Sequence, residues 1–107
     1  MSTETASALP AGIESRRAEI ARICSRLGVR RLDLFGSGTR SASPRDLDFL
    51  ADLGDRPPAE CAAAYFALRE ELEKLFAKPV DIVTPPGLSN PHFRQRVEQE
   101  KILLYAA

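Results

Sequence analysis

Asp46 and Asp48 stand two residues apart in the stretch RDLDFLADL, residues 45–53. In an extended strand such residues share a face, so the two carboxylates are expected to project together. Asp81 sits in the middle of a second short apolar run, PVDIV, residues 79–83. If these two strands are neighbours, three carboxylates meet on one face of a sheet. Such a cluster repels itself unless something neutralises it. Hard oxygen donors suit Mg²⁺ or Mn²⁺, which bind through a few carboxylates completed by phosphate oxygens and water. One or two such ions can activate an attacking oxygen and stabilise a leaving phosphate. Asp46, Asp48 and Asp81 are therefore candidate metal ligands and catalytic residues.

Gly36-Ser37 precedes the first carboxylate and ends an apolar run. Glycine lets a backbone approach a ligand closely, and a serine at a strand-to-helix corner offers a hydroxyl and N–H groups to phosphate oxygens. Arg40, one helical turn later, adds a cation suited to a triphosphate. The stretch has no GxxxxGK[ST], which excludes a P-loop. Asp33 reads differently: it precedes the turn and is expected to be structural, paired with Arg31 or another base. His92, beside Phe93, reads as a surface or capping residue. Arg94 and Arg96 read as charges on the solvated face of the last helix, with an interface for a partner or nucleotide as the alternative.

These residues need elements to hold them. The apolar positions Ile13, Ile20, Ile23, Cys24 and Leu27 form one helical stripe ending at Gly28, which suits a left-handed cap. Val29 to Phe35 reads as a strand, and Asp46 to Leu53 as a second. GDRPP (54–58) turns into a long helix with Cys61, Tyr65, Leu68, Leu72 and Leu75 at steps of three and four. Tyr65 lies on its core stripe and Phe66 flanks it. PVDIV is a third strand, stopped by Pro85-Pro86-Gly87. Asn90-Pro91 caps a last helix through Glu100, and KILLYA follows as a final edge strand or strand-like tail. The short link between the first two strands favours adjacent pairing, and the long helix before the third allows a crossover. An α/β (α+β) fold with a small mixed sheet flanked by helices follows.

The 107 residues divide into a disordered N-terminal tail, 1–10, and a single domain, 11–107. Acidic and basic residues balance, 15 against 15, so no global field draws in nucleic acid or anionic membrane. Autonomous nucleic-acid binding is not expected. Cys24 and Cys61 have no CxxC or Cys/His context and read as free thiols of a reducing compartment. MSTETASAL lacks the basic start and apolar core of a signal peptide, and no apolar run approaches the roughly 20 residues of a membrane span. A cytoplasmic protein without membrane contact is expected.

The combination LFGS…DLDFL…VDIV resembles the minimal nucleotidyltransferase group of the DNA polymerase β-like superfamily, over roughly residues 13 to 105. The resemblance implies the polymerase β-like nucleotidyltransferase fold. It places nucleotide phosphate at Gly36 and Ser37, Mg²⁺ at Asp46 and Asp48, and the third catalytic carboxylate at Asp81, with Arg40 at a common basic position. It implies transfer of a nucleoside monophosphate, AMP from ATP, to a hydroxyl on a partner protein. It also implies that the partner is a helical HEPN-type toxin that this chain antagonises. Eight residues, Gly38 to Arg45, separate the Gly-Ser from the first aspartate, fewer than usual, and Arg45 stands where many members have serine. The shortened segment keeps open an alternative, a catalytically inactive nucleotide-binding or antitoxin subunit that acts by contact alone.

Overall fold

The N-terminal apolar stripe winds into two helical segments, α1 (Ala11–Glu14) and α2 (Arg17–Leu27), in a computed structural model that describes residues 11–39 and 44–107. The expected tail, 1–10, lies outside the described residues. The break between α1 and α2 carries no proline. It comes from local competition for backbone partners: Ser15 Oγ donates to Gly12 O at 3.3 Å, and Arg16 N donates to Ile13 O at 3.0 Å. Gly28 ends α2 in the left-handed conformation, φ 71°, where its N–H and that of Val29 return to carbonyls of the last turn. Val29 is thereby held by the helix, and the first strand, β1, runs only Arg31–Phe35.

β2 (Leu47–Asp52) pairs antiparallel with β1. The helix α3 (Pro58–Phe76), with Pro58 in its first turn, crosses over to β3 (Val80–Val83), which pairs parallel with β2. A short 3₁₀ turn, Pro85–Leu88, leads to α4 (Pro91–Glu100), and β4 (Ile102–Ala106) returns antiparallel to β1. The mixed sheet has the order β3-β2-β1-β4, so β4 is an edge strand as expected.

Alternation along the strands gives the sheet two working faces. On one, Leu32, Leu34, Leu47, Phe49, Ala51, Val80 and Ile82 meet Ile20, Ile23 and Cys24 of α2 and Ala64, Leu68 and Leu72 of α3. Each large side chain buried there contributes roughly 1.5–3 kcal/mol. On the other face, Phe35, Leu50 and Val83 meet Leu88, Phe93 and Val97, so α4 lies over the second face. Asp33 belongs to this second face and is fully buried. It is structural, as its sequence context suggests: Arg31 Nε lies 3.1 Å and Lys101 Nζ 3.7 Å from its carboxylate. Lys101 directly follows α4, so this ion pair fastens the helix end to β1.

Candidate active site

β1 delivers its last residue, Phe35, to the edge where β2 and β3 begin, because it runs antiparallel to β2 while β3 runs parallel to it. Phe35 faces Asp48, and Asp48 faces Asp81, across consecutive strand pairs. Asp48 and Asp81 thus stand side by side, one on each parallel strand, as the crossover requires. The chain leaving Phe35 turns at once through the 3₁₀ segment Gly36–Thr39, closed by Thr39 Oγ1 donating to Gly36 O at 2.7 Å. Gly36 has φ 76°, and a Cβ there would lie 2.7 Å from Asp48 Oδ2. Only a residue without a side chain lets the turn come this close to the carboxylate.

Asp46 is placed differently from expectation. It lies in a bend before β2, exposed, not inside the strand. The reason is pairing: Leu47 is the first β2 residue to take a partner, its N–H donating to Pro79 O at 3.1 Å. Asp46 nevertheless remains close enough to act on Asp48. Burial first, then the charges of Asp46 and Asp81, push the Asp48 carboxyl above its ordinary value. Ser37 lies within the 36–39 turn, and Arg40 lies outside the described residues.

A cleft of about 510 Å³ opens over this edge, lined by Phe35, Gly36, Asp48, Asp81, Val83, Phe93, Arg96 and Glu100. Five of these eight were not candidate site residues in the sequence: Phe35 comes from the strand before the Gly-Ser, Val83 from the end of β3, and Phe93, Arg96 and Glu100 from α4. Phe35 and Phe93 meet edge-to-face with ring centroids 6.0 Å apart, and the Arg96 guanidinium lies 6.0 Å from the Phe93 centroid. Gly36 N donates to Glu100 Oε1 at 3.2 Å, so a carboxylate already occupies the amide of the turn. Asn90 fixes the start of α4 by accepting from the N–H groups of His92 and Phe93 at 2.9 and 3.2 Å. His92 is exposed in that first turn and does not line the cleft.

A second cleft, about 600 Å³, lies at the other ends of β2 and β3, among Asp52, Asp55, Cys61, Tyr65 and Thr84, and includes none of the three candidate carboxylates. Among the described residues no three acidic, histidine or cysteine side chains form a ready-made ligand cluster. The donor chemistry nonetheless fits a small divalent cation: hard oxygens, one of them held unfavourably charged by two others, with open space for phosphate and water.

No family model matches the sequence, and no curated protein matches it. Solved structures do. The MntA–HpeT toxin–antitoxin complex, in a mutant with two aspartates replaced by glutamate, superposes at TM-score 0.65 with 17% identity, over 85% of this chain and 73% of that one. A toxin–antitoxin structure with AMP-PNP gives 0.64 and 19% over the same shares. These two establish a common fold. The structure of a protein assigned to the minimal nucleotidyltransferases superposes at 0.62 with 32% identity, over 83% of this chain and 89% of that one. With that identity across nearly the whole relative, and the mixed α+β sheet they share, this chain belongs to the minimal nucleotidyltransferase family.

Proposed function

We propose that the protein is a Mg²⁺-dependent nucleotidyltransferase that moves AMP from ATP to a hydroxyl of a partner protein. The observation that carries this reading is the alignment of Asp48 with Asp81 across the parallel β2–β3 pair, against the Gly36 turn. In this reading residues 11–107 work as one nucleotidyltransferase domain in the cytoplasm. Among the described residues no helix is long and apolar enough to cross a membrane, and both cysteines are free.

Asp46 and Asp48 are the residues that would hold Mg²⁺, with Asp81 completing the set. When bound, the ion supplies charge neutralisation for the triphosphate and for the leaving pyrophosphate. The remaining work belongs to the chain. Gly36, without a side chain, leaves room for the phosphates to approach, Ser37 receives them, and Arg40 adds charge beside them. Asp81 is exposed at the cleft margin, where its carboxylate can take the proton of an arriving hydroxyl. The hydroxyl oxygen bonds to the α-phosphorus as the bond to the β-phosphate oxygen breaks, releasing pyrophosphate. Most of the acceleration comes from positioning and charge compensation.

Two comparisons support the nucleotide and the partner. The MntA–HpeT neighbour is a toxin–antitoxin assembly, and another toxin–antitoxin neighbour contains AMP-PNP. The two aspartates replaced in the mutant neighbour are two positions apart, the spacing of Asp46 and Asp48. By this reading the chain is the antitoxin of a pair, and its partner is a helical HEPN-type toxin.

Co-purification with the partner, followed by ATP and Mg²⁺ and intact-mass measurement of both chains, tests the reading. A nucleotide-sized gain on the partner, lost with Asp48→Ala, is expected. The eight-residue segment from Gly38 to Arg45 favours a second reading, an antitoxin acting by contact alone. No mass gain with any nucleoside triphosphate would establish that reading against transfer.

A further inference from the structure

We propose that Arg96 is a substrate-binding residue that grips the phosphate tail of the nucleotide from the α4 side of the cleft. The proposal rests on the reading of the cleft as a nucleotide site. It begins from charge. The described lining carries Asp48 and Asp81, which would share the divalent ion, and Arg96 as its one basic residue, while Glu100 is already engaged, accepting from Gly36 N–H. A triphosphate brings several further negative charges, and a divalent ion shared with the aspartates offsets only part of them. The amide of Gly36 does not supply the remainder, because it is already donated to Glu100. A guanidinium on the opposite wall does, and its planar fork matches phosphate oxygens.

The placement of Arg96 suits this task. It is exposed, and its guanidinium lies against the Phe93 ring, not in an ion pair with a carboxylate of the described residues. The ring contact holds the long side chain on the cleft side of α4 without consuming its hydrogen-bond donors. Phe93 in turn is fixed edge-on against Phe35, whose strand partner is Asp48. A short chain of contacts thus sets the distance between the cation and the carboxylate edge. Arg94, two residues earlier, is engaged elsewhere, its Nε donating to Leu88 O at 3.1 Å.

The test is calorimetric titration of wild type, Arg96→Met and Arg96→Lys with AMP-PNP and Mg²⁺, and separately with AMP. Arg96→Met keeps the apolar length of the side chain over Phe93 and removes the charge. It is expected to weaken AMP-PNP binding by about ten- to a hundredfold while changing AMP binding less than about threefold. Arg96→Lys should recover part of the loss. Equal AMP-PNP affinity in wild type and Arg96→Met would overturn the role of Arg96 and leave the site reading intact. Parallel losses for AMP-PNP and AMP would also overturn it, because the residue would then not be reading the phosphate tail. Failure of wild type to bind AMP-PNP at all would instead overturn the nucleotide-site reading and this proposal with it. Unchanged thermal midpoints in both variants, expected for an exposed residue, keep these outcomes separate from misfolding.

Discussion

The charged form of Asp48 is disfavoured where it stands: burial and the charges of Asp46 and Asp81 all favour its neutral form. The folded carboxyl therefore binds its proton more tightly than the unfolded one, whose ordinary value is 3.8. Between that value and the raised one, the native state keeps a proton that the unfolded chain has lost. Stability from this group consequently falls as pH rises through the window and stays lowered above it. Two outcomes follow for Asp48→Asn. Transfer is lost, because a neutral amide cannot replace a ligand carboxylate. The thermal midpoint at pH 7 rises above wild type, and the gain shrinks as pH falls through the raised value and is gone below 3.8, where both states carry the proton. Adding Mg²⁺ raises the wild-type midpoint and leaves the variant nearly unmoved. A scanning-calorimetry series across pH, with and without the ion, reads the midpoint shifts, and the intact mass of the partner reads transfer. At the neighbouring residue, Gly36→Ala must either strain φ 76° or displace Asp48, since the added Cβ would lie 2.7 Å from Oδ2. It is expected to cost about 1 kcal/mol or more in urea unfolding and to reduce transfer at least tenfold.

Among the elements, α4 does most to turn a carboxylate edge into a cleft, and its start depends on one side chain. Asn90 accepts from two N–H groups that would otherwise lack partners, so Asn90→Ala should cost about 1 kcal/mol in urea unfolding, with Asn90→Ser close to wild type. Because the first turn carries Phe93 and the next Arg96, the alanine variant should also show a higher KM for ATP with a smaller change in kcat. The placement of β3 beside β2, which brings Asp81 to Asp48, stood in the sequence only as a condition; the cap was readable, as were the crossover through α3 and the adjacent pairing of β1 with β2. Each rests on a local signal: an Asn-Pro, a heptad-like stripe, a short connection. The contribution of α4 to the site was not readable. Phe93, Arg96 and Glu100 sit at i, i+3 and i+7, a spacing that equally describes a solvated stripe. What makes that stripe a cleft wall is tertiary: Leu88 and Val97 dock on Phe35, and Lys101 pins the helix end to buried Asp33. The break at Ser15–Arg16 escaped for the opposite reason, since hydrogen bonds from a serine side chain and a backbone amide ended a turn that the apolar periodicity continues.

At the scale of the whole molecule, the site depends on one cooperative core beneath the first sheet face, and the two cysteines report on it. Cys24 lies fully buried in that core, and burial pushes its thiol up to about 12. Almost no thiolate forms in the native protein, and a reagent cannot reach it. Cys61 is half-buried at the start of α3, beside the second cleft. Alkylation of the native protein near pH 8 should therefore add one group, on Cys61, long before Cys24 reacts. Modification of Cys24 then requires opening of the core, and its rate follows the population of the opened state when reclosing is fast. Leu68 is wholly buried in the same cluster, and Leu68→Ala should destabilise the protein by about 2–5 kcal/mol. At roughly 1.4 kcal/mol per factor of ten, Cys24 alkylation should accelerate by about thirtyfold to a few thousandfold, while Cys61 changes little. Intact-mass time courses on both proteins measure the two sites separately. If Cys24 in the variant reacted at the wild-type rate, α2 would open without the sheet, and the site edge would not share the stability of the core beneath it.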